Sequence, residues 1–416
     1  MAKKWFVGID WGSEEHHVCV LDAEGEVVGE KVVAHSGDGL GVLARWLWEV
    51  SECDASTVSV GIEVPHGPVV ETLLERSFSV YAINPKQLDR FRDRFTVAGA
   101  KDDRLDARVL AASLRTDRHS YRHLSPESPE VVELREWSRM AEELKEERVR
   151  LGNRMRQHLR RYYPQPLELD NTVHAPWFLD LWELVPTPAR AAKVRKAAVS
   201  RLLKRHRIRR VDANDVLSTL RQKPLMVAPG TTDAVTARIS ALVERIRVVN
   251  KQLKQATRRL DELCRRLSTS TEVGDSEGQC EQHDVEILRS LPGVGQVVLA
   301  VLLAEAHRAL EARDYHALRT LCGVAPVTRR SSKRTAIVMR KACNLRLRDA
   351  VYHLSRTAAQ SDPKSKAKYA ALRAKGHSHG RALRTVGDRL LMVMCAMLRE
   401  QTSYDATRQQ VALMAE

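Results

Sequence analysis

The sequence is short of several features that mark whole classes of protein. Its seven cysteines, at 19, 53, 264, 280, 322, 343 and 395, include no CxxC pair and no histidine at metal-ligand spacing, which excludes a zinc ribbon and a secreted disulfide framework. The longest apolar run, Leu291 to Ala306, is too short for a bilayer and carries Gln296 and Glu305. The opening MAKKWFVGID reads as a strand and not as a secretory leader. The expected location is therefore cytoplasmic, with no membrane partner. Aromatic residues are only 5%, which argues against base stacking along a single strand as the main binding mode. Acidic residues are the other shortage, with 53 Asp+Glu against 68 Lys+Arg.

What is present describes an ordinary globular chain. The 416 residues are 43% hydrophobic and 29% charged, enough for two or three domains with real cores. The formal net charge of +15 points to a polyanionic partner, nucleic acid before others. That charge is segregated. Residues 1–115 hold 13 Lys/Arg against 19 Asp/Glu, whereas residues 326–400 hold 18 against 4. A second basic run, Arg190 to Arg210, has ten basic residues and no acid. A solvated helix face is the plain reading of one such run. Two runs flanking an acidic module fit better with phosphate neutralisation beside a carboxylate-based core.

Alternating segments at Lys4–Asp10, His16–Asp22 and Val27–Val33 predict three antiparallel strands. A helix at Leu40–Val50, a strand at Thr57–Val64, a helix at Pro68–Arg76 and a strand at Val80–Ile83 continue them as a parallel sheet. Arg104–Leu114 has helical period, and Thr116–Pro129 reads as a linker. Helices follow. One is marked by Leu134, Trp137, Ala141, Leu144, Leu151 and Met155. Another carries Val235, Ile239, Leu242, Ile246, Val249, Leu253, Ala256, Leu260, Leu263 and Leu267 at alternating spacings of four and three. That heptad seam spans roughly 50 Å of helix and predicts a coiled coil within or between protomers, with dimerisation as its consequence. The expected domains are 1–116, 130–267, a linker at 268–284, 285–400, and a tail at 401–416.

Asp10 ends the first strand, Glu63 ends the fourth, and Asp103 and Asp106 share a helix face. Four carboxylates at one sheet edge repel one another unless divalent cations lie among them, the arrangement used in two-metal phosphodiester chemistry. Singly, each is an ordinary surface acid or helix cap.

These residues also carry a resemblance. GIDWGS at the start, GIEVPHG around Glu63, INPKQ at 83–87 and KDDRLDARVLA at 101–111 resemble the DEDD-type transposases of bacterial insertion sequences, whose first domain is similar to RuvC and RNase H. LPGVG at 291–295, CGVAPVTRRSSKR at 322–334 and KACNLRLRDAVYHLS at 341–355 match the family's second half. The fold this implies is an RNase H/RuvC-like α/β domain with a mixed sheet, then a helical coiled-coil region and a mainly α carboxy-terminal domain.

Carried onto this sequence, the family's acids fall on Asp10, Glu63, Asp103 and Asp106, with Asp102 as the rival for the third place. Mg²⁺ is the implied metal, with Mn²⁺ second, because all-oxygen sites usually hold it. The family's nucleophilic serine, five residues after the Pro of its GLAP-like motif, falls on Ser331. A serine hydroxyl needs activation and a stabilised leaving oxygen. Arg329, Arg330, Lys333 and Arg334 beside it, with Arg340, Lys341, Arg346 and Arg348, are the expected nucleic-acid contacts. Gly293 and Gly295 resemble a helix-hairpin-helix turn. Ser332 and Cys343 stand where the family often has glycine, which adds strain if either position needs φ > 0.

The resemblance implies a recombinase that acts on double-stranded donor and target DNA, through a serine adduct, guided by a structured bridge RNA, as a dimer or tetramer. A hydrolytic junction nuclease is the alternative. An actin-like sugar kinase shares GIDWG but has no use for a basic carboxy-terminal segment.

Overall fold

The computed structural model describes residues 4–95, 102–269, 284–331 and 334–407. They form two compact units, Met1–Ser128 and Pro129–Glu416.

The first unit is a mixed sheet with helices on both faces. Its elements are β1 (Trp5–Asp10), β2 (Glu15–Leu21), β3 (Val27–Ala34), α1 (Gly37–Val50), β4 (Val58–Ile62), α2 (Pro68–Glu75), β5 (Ser79–Ala82), α3 (Pro85–Arg92), α4 (Asp103–Asp117) and β6 (Arg122–His123). The strand order is β3-β2-β1-β4-β5-β6. The first three strands are antiparallel, β1, β4 and β5 run parallel, and β6 returns antiparallel. β4 is buried at every position, as a parallel strand covered on both faces must be.

Strand alternation sorts the side chains into two cores. Val7, Ile9, Val60 and Ile62 pack beneath Leu43 and Leu47 of α1 and Leu73 of α2. On the opposite face Phe6, Cys19 and Ile83 meet Ala107, Leu110, Ala111 and Leu114 of α4. Gly8 and Gly61 are register partners on β1 and β4, and they open a shallow groove for that helix. A Cβ on Gly8 would stand 2.0 Å from the Ala107 carbonyl oxygen, so only glycine lets α4 lie this close to β1.

Two elements here lie outside the sequence expectation. α3 begins on an Asn84 cap, which accepts from the Lys86 amide at 3.0 Å, followed by Pro85 at the first helical position. The stretch read as a linker after 116 supplies β6 at the sheet edge.

The second unit is mainly helical. α5 (Pro129–Tyr162) and α6 (Thr231–Thr269) lie antiparallel, with Glu133 paired to Arg259 at 2.6 Å and Glu147 to Arg245 at 3.6 Å. Val235, Ile239, Leu242, Ile246 and Val249 of the heptad seam are buried in a core shared with Leu151, Met155, Leu159, Tyr162 and Trp182. Leu260 and Leu263 enter a second core with Leu134 and the carboxy-terminal helices. The expectation of dimerisation through this seam is corrected: its apolar side chains are spent inside the chain, on α5 and the short helices between Pro166 and Leu220. Heptad spacing specifies a long buried stripe but not whose chain covers it.

Beyond the expected linker, of which 270–283 lie outside the described residues, come α7 (Gln296–Glu305), a hairpin of β7 (Val327–Ser331) and β8 (Arg334–Val338), then α8 (Leu345–Ser361), α9 (Pro363–Ala374) and α10 (His379–Glu400). α7 is apolar on nearly all sides and accordingly buried. The expected tail is anchored at its start, where the Tyr404 hydroxyl donates to Asp362 at 3.0 Å.

Candidate active site

Asp10 is the last residue of β1, on the face that carries α4. It is half-buried, and its pKa is raised to about 6, first by burial and then by the negative charges of Asp106, Asp103 and Glu63. The other three expected acids therefore act on Asp10, with the opposing effect of His17, which pairs with Asp10 in the β1/β2 register.

The start of α4 separates its three aspartates. Asp102 is the cap, accepting from the Arg104 amide at 3.2 Å. Asp103 is exposed in the first turn. Asp106, one turn on, is only 3% exposed and accepts from Arg92 Nε at 2.7 Å. Arg92 comes from the end of α3 and also reaches Asp89 at 3.1 Å. Neither Arg92 nor His17 stands out in the sequence. The signal for His17 is the hairpin register opposite Asp10, and Arg92 lies in a run with Arg90 and Arg94 that gives it no distinction.

Behind the same strand end sits a histidine pair. The fully buried His16 accepts from the Gly12 amide through Nδ1 at 3.3 Å, and its Nε2 lies 2.9 Å from His35 Nδ1. The Gly12 bond assigns the proton to Nε2, so His16 donates to His35. Burial and the neighbouring His35 both hold the His16 pKa below the ordinary histidine range, in keeping with a neutral ring. Trp11 rests against both imidazoles, with ring centroids at 6.4 and 6.2 Å. The turn that follows Asp10 is thus braced from within.

In the second unit Ser331 ends β7, paired across the hairpin with Arg334, while Ser332 and Lys333 lie outside the described residues. The sequence expectation gave basic residues around the serine and no secondary structure. The β-branched residues Val327, Thr328, Ile337 and Val338 make the segment a two-stranded hairpin whose Arg329 and Arg330 are exposed. Lys341 is exposed, and Arg340 is half-buried with an Nε that finds no acceptor.

Arg346 is withdrawn from the expected phosphate contacts. It donates to Glu142 at 2.6 Å, Glu305 at 2.6 Å and Ser138 at 2.7 Å, tying α8 to α5 and α7. Arg348 is half-buried and lies 3.5 Å from Asp349. Gly293 has φ of +91° and leaves no room for a Cβ beside the Leu354 carbonyl, at 2.5 Å. Its role is to close the turn onto α8, while Gly295 caps α7 with open space around it. The strain feared at Cys343 is absent. Its φ is not positive, and its thiol fills the space above Gly323, which takes the positive φ of 68° itself.

The comparisons with known proteins bear on both units. A family model described as "Transposase" matches residues 7–164, and one described as "Transposase IS116/IS110/IS902 family" matches residues 285–370. A candidate transposase for the IS117 mini-circle of Streptomyces coelicolor is 30% identical over 412 residues, covering 97% of this chain and 96% of its own. The chain belongs to the IS116/IS110/IS902 transposase family.

A candidate transposase of Sinorhizobium fredii, y4uE, is 58% identical over 209 residues, a match that spans half of this chain and 58% of that protein. An uncharacterized 44.8 kDa protein of insertion element IS116 in Streptomyces clavuligerus is 27% identical over 411 residues, 95% of each chain.

Transposases of this DEDD type depend on divalent metal. Among the described residues no three His, Cys, Asp or Glu side chains are arranged to hold an ion as they stand. The donor chemistry nevertheless fits a hard cation: the acids supply only oxygens, and burial together with the charges of Asp106, Asp103 and Glu63 raises the Asp10 pKa. The departure from a closed cage has a visible contributor, since Asp106 is engaged by Arg92.

No helix among the described residues is long and apolar enough to cross a membrane.

Proposed function

We propose that this transposase cuts, exchanges and rejoins DNA through a Ser331–DNA phosphodiester. The observation that carries the reading is the convergence of the charges of Glu63, Asp103 and Asp106 on Asp10. Asp10, Glu63, Asp103 and Asp106 would hold Mg²⁺, with Mn²⁺ as substitute, and the bound metal would offset charge on the attacking and leaving oxygens. Ser331 Oγ loses its proton and bonds to phosphorus as one deoxyribose oxygen leaves and takes a proton. Attack on the adduct by a deoxyribose hydroxyl from the partner strand reverses both changes, so no phosphodiester is lost. Arg329, Arg330, Lys333 and Arg334 hold the scissile phosphate, and Arg340, Lys341, Arg348 and the turn at Gly295 hold its flanks. Gly293 serves by closing that turn.

Donor and target are double-stranded DNA, and a structured bridge RNA selects them. The active form is a homo-oligomer, a dimer or tetramer, built on surfaces other than the α6 seam. The domain scheme that goes with this is a catalytic domain at 1–116, a helical region at 130–267 and a transposase domain at 285–400.

The test is a denaturing gel of the protein with its co-expressed RNA and DNA carrying the element's ends. Wild type forms an adduct that survives detergent and needs Mg²⁺, and both Ser331→Ala and Asp10→Asn lose it. Strand cleavage that persists in Ser331→Ala would instead make the protein a hydrolytic nuclease in which water attacks.

The pKa of Asp10 sets a pH dependence. Below about 6 the carboxyl holds a proton that must leave before a cation can bind, so divalent-ion affinity falls as pH drops through that value. Linkage gives the opposite sign without metal: a raised acid pKa makes the folded unit bind the proton more tightly than the unfolded chain, so it gains stability from pH 7 toward pH 4. Thermal unfolding with EDTA or Ca²⁺ at pH 5, 6 and 7 measures both trends, and Asp10→Asn should flatten them. Parallel curves for wild type and Asp10→Asn would refute the assignment.

A further inference from the structure

Three helices of the second unit each bring one ring to the same place on the surface. His379 of α10 stands edge-on to Tyr369 of α9, with ring centroids 5.8 Å apart at 83°, and to Tyr352 of α8, at 6.5 Å and 86°. The Tyr369 hydroxyl lies 2.8 Å from His379 Nδ1. If that nitrogen accepts the bond, the ring carries its proton on Nε2. Tyr352 is 40% exposed and His379 is exposed as well, while Tyr369 is half-buried at the edge of the core.

The surroundings are cationic on balance, although the exposed Asp349 lies one turn before Tyr352 on α8. Residues 350–387 contain eight Lys/Arg and one acid, Asp362. That acid is buried and occupied, accepting from the Ser365 amide at 2.8 Å and the Tyr404 hydroxyl at 3.0 Å. Arg356 lies one turn from Tyr352 and Lys366 one turn from Tyr369. Arg384 is half-buried, and burial together with Arg381 lowers its pKa, with no carboxylate acting on it. Such a surface attracts a polyanion. Rings add what charge alone cannot, a face for an unstacked base.

We propose that Tyr352, Tyr369 and His379 form a stacking station for unpaired bases of a folded RNA, whose backbone runs over the cations around them. Duplex DNA covers its base faces and offers the rings nothing, whereas RNA loops present unpaired bases that stack on aromatic side chains. The station is local, in keeping with the low aromatic content of the chain. It lies apart in sequence from the Ser331 hairpin, and it rests on the RNA-guided reading above.

The test uses the full chain and fluorescence anisotropy with labelled 20-nucleotide poly(U), poly(dT) and a duplex DNA of equal length, at fixed salt. Tyr352→Ala with Tyr369→Ala should weaken poly(U) binding about tenfold, the scale of stacking on one base, and leave duplex binding within about twofold. The paired Tyr→Phe variants should bind poly(U) as wild type does. Because Tyr369 packs partly against the core, Tyr352→Ala and His379→Ala singly carry the test if the double variant unfolds. Unchanged poly(U) binding, or an equal loss for poly(U) and duplex, overturns the station. Ring-dependent binding of poly(dT) as tight as poly(U) overturns the assignment to RNA. If wild type binds no RNA at all, the RNA-guided reading itself fails. If wild type binds RNA and the ring variants bind it equally well, only the station fails.

Discussion

Replacing Gly8 with alanine should destabilise the amino-terminal unit by about 3 kcal/mol, and replacing it with valine should abolish that unit's unfolding transition. A Cβ at this position meets the Ala107 carbonyl oxygen at 2.0 Å, the Ala111 amide nitrogen at 2.5 Å and the Leu110 Cβ at 2.8 Å. Two of the three are backbone atoms of α4, so no side chain can turn aside and the helix itself must lift from the sheet. Lifting it withdraws Ala107, Leu110, Ala111 and Leu114 from their core and moves Asp106 away from Asp10 at the same time. Stability and the candidate site should therefore fail together. Gly61 supplies the control. Its added Cβ would stand 2.8 Å from Ile83 Cδ1, the free end of a side chain that can rotate, and Gly61→Ala should cost only about 1 kcal/mol. Chemical denaturation of the full chain, followed by a probe in each unit, measures both variants. A Gly8→Ala protein within about 0.5 kcal/mol of wild type, inside the range usual for a neutral surface change, would show that α4 is not held this tightly.

The same glycine shows what could be read from the chain and what could not. Alternation along β1 and β2, and the uninterrupted apolar run of β4, made the sheet legible because each pattern records how many faces a strand buries. The four acids were legible as candidates from their positions at strand ends and on a helix face. Their convergence was not, because the distance between β1 and α4 is set by Gly8 and Gly61 lying side by side, a matter of register. α3 had a signal in Asn84-Pro85, a cap followed by the residue that favours a first turn, but it is short and its buried anchor is Leu88 alone. β6 had none: two residues, Arg122 and His123, are a strand only because β5 offers an open edge. The α6 seam was read as a coiled coil within or between protomers, and whose chain covers it was open, since α5 presents an apolar stripe of its own about a hundred residues earlier. Ion pairs are the least legible of all. Nothing near Arg346 in sequence shows that Glu142 and Glu305 will claim it.

Arg92 is the second such case. Arg92→Leu should destabilise the first unit by about 3 kcal/mol in EDTA, because it leaves the Asp106 carboxylate buried without the cation that offsets its loss of water. Removing both members, as Arg92→Leu with Asp106→Leu, should recover much of that loss, since two apolar side chains of fitting size need no counter-charge. A divalent ion should do the same by another route. If Asp106 is one of the acids that holds metal, Arg92 occupies it in the metal-free protein and ion and guanidinium compete for one carboxylate. Wild type must give up the pair on loading, and Arg92→Leu has nothing to give up. Added Ca²⁺ should therefore raise the unfolding midpoint of Arg92→Leu more than that of wild type, and half-saturation should come at a lower concentration. Arg92→Lys keeps the charge but loses the planar donor fork that bonds Asp106 while reaching Asp89, and should fall between the two. Equal Ca²⁺ shifts in wild type and Arg92→Leu would show that the ion and Arg92 do not contend for Asp106. The arginine would then be a fixed support of the site, not the group that a bound metal displaces.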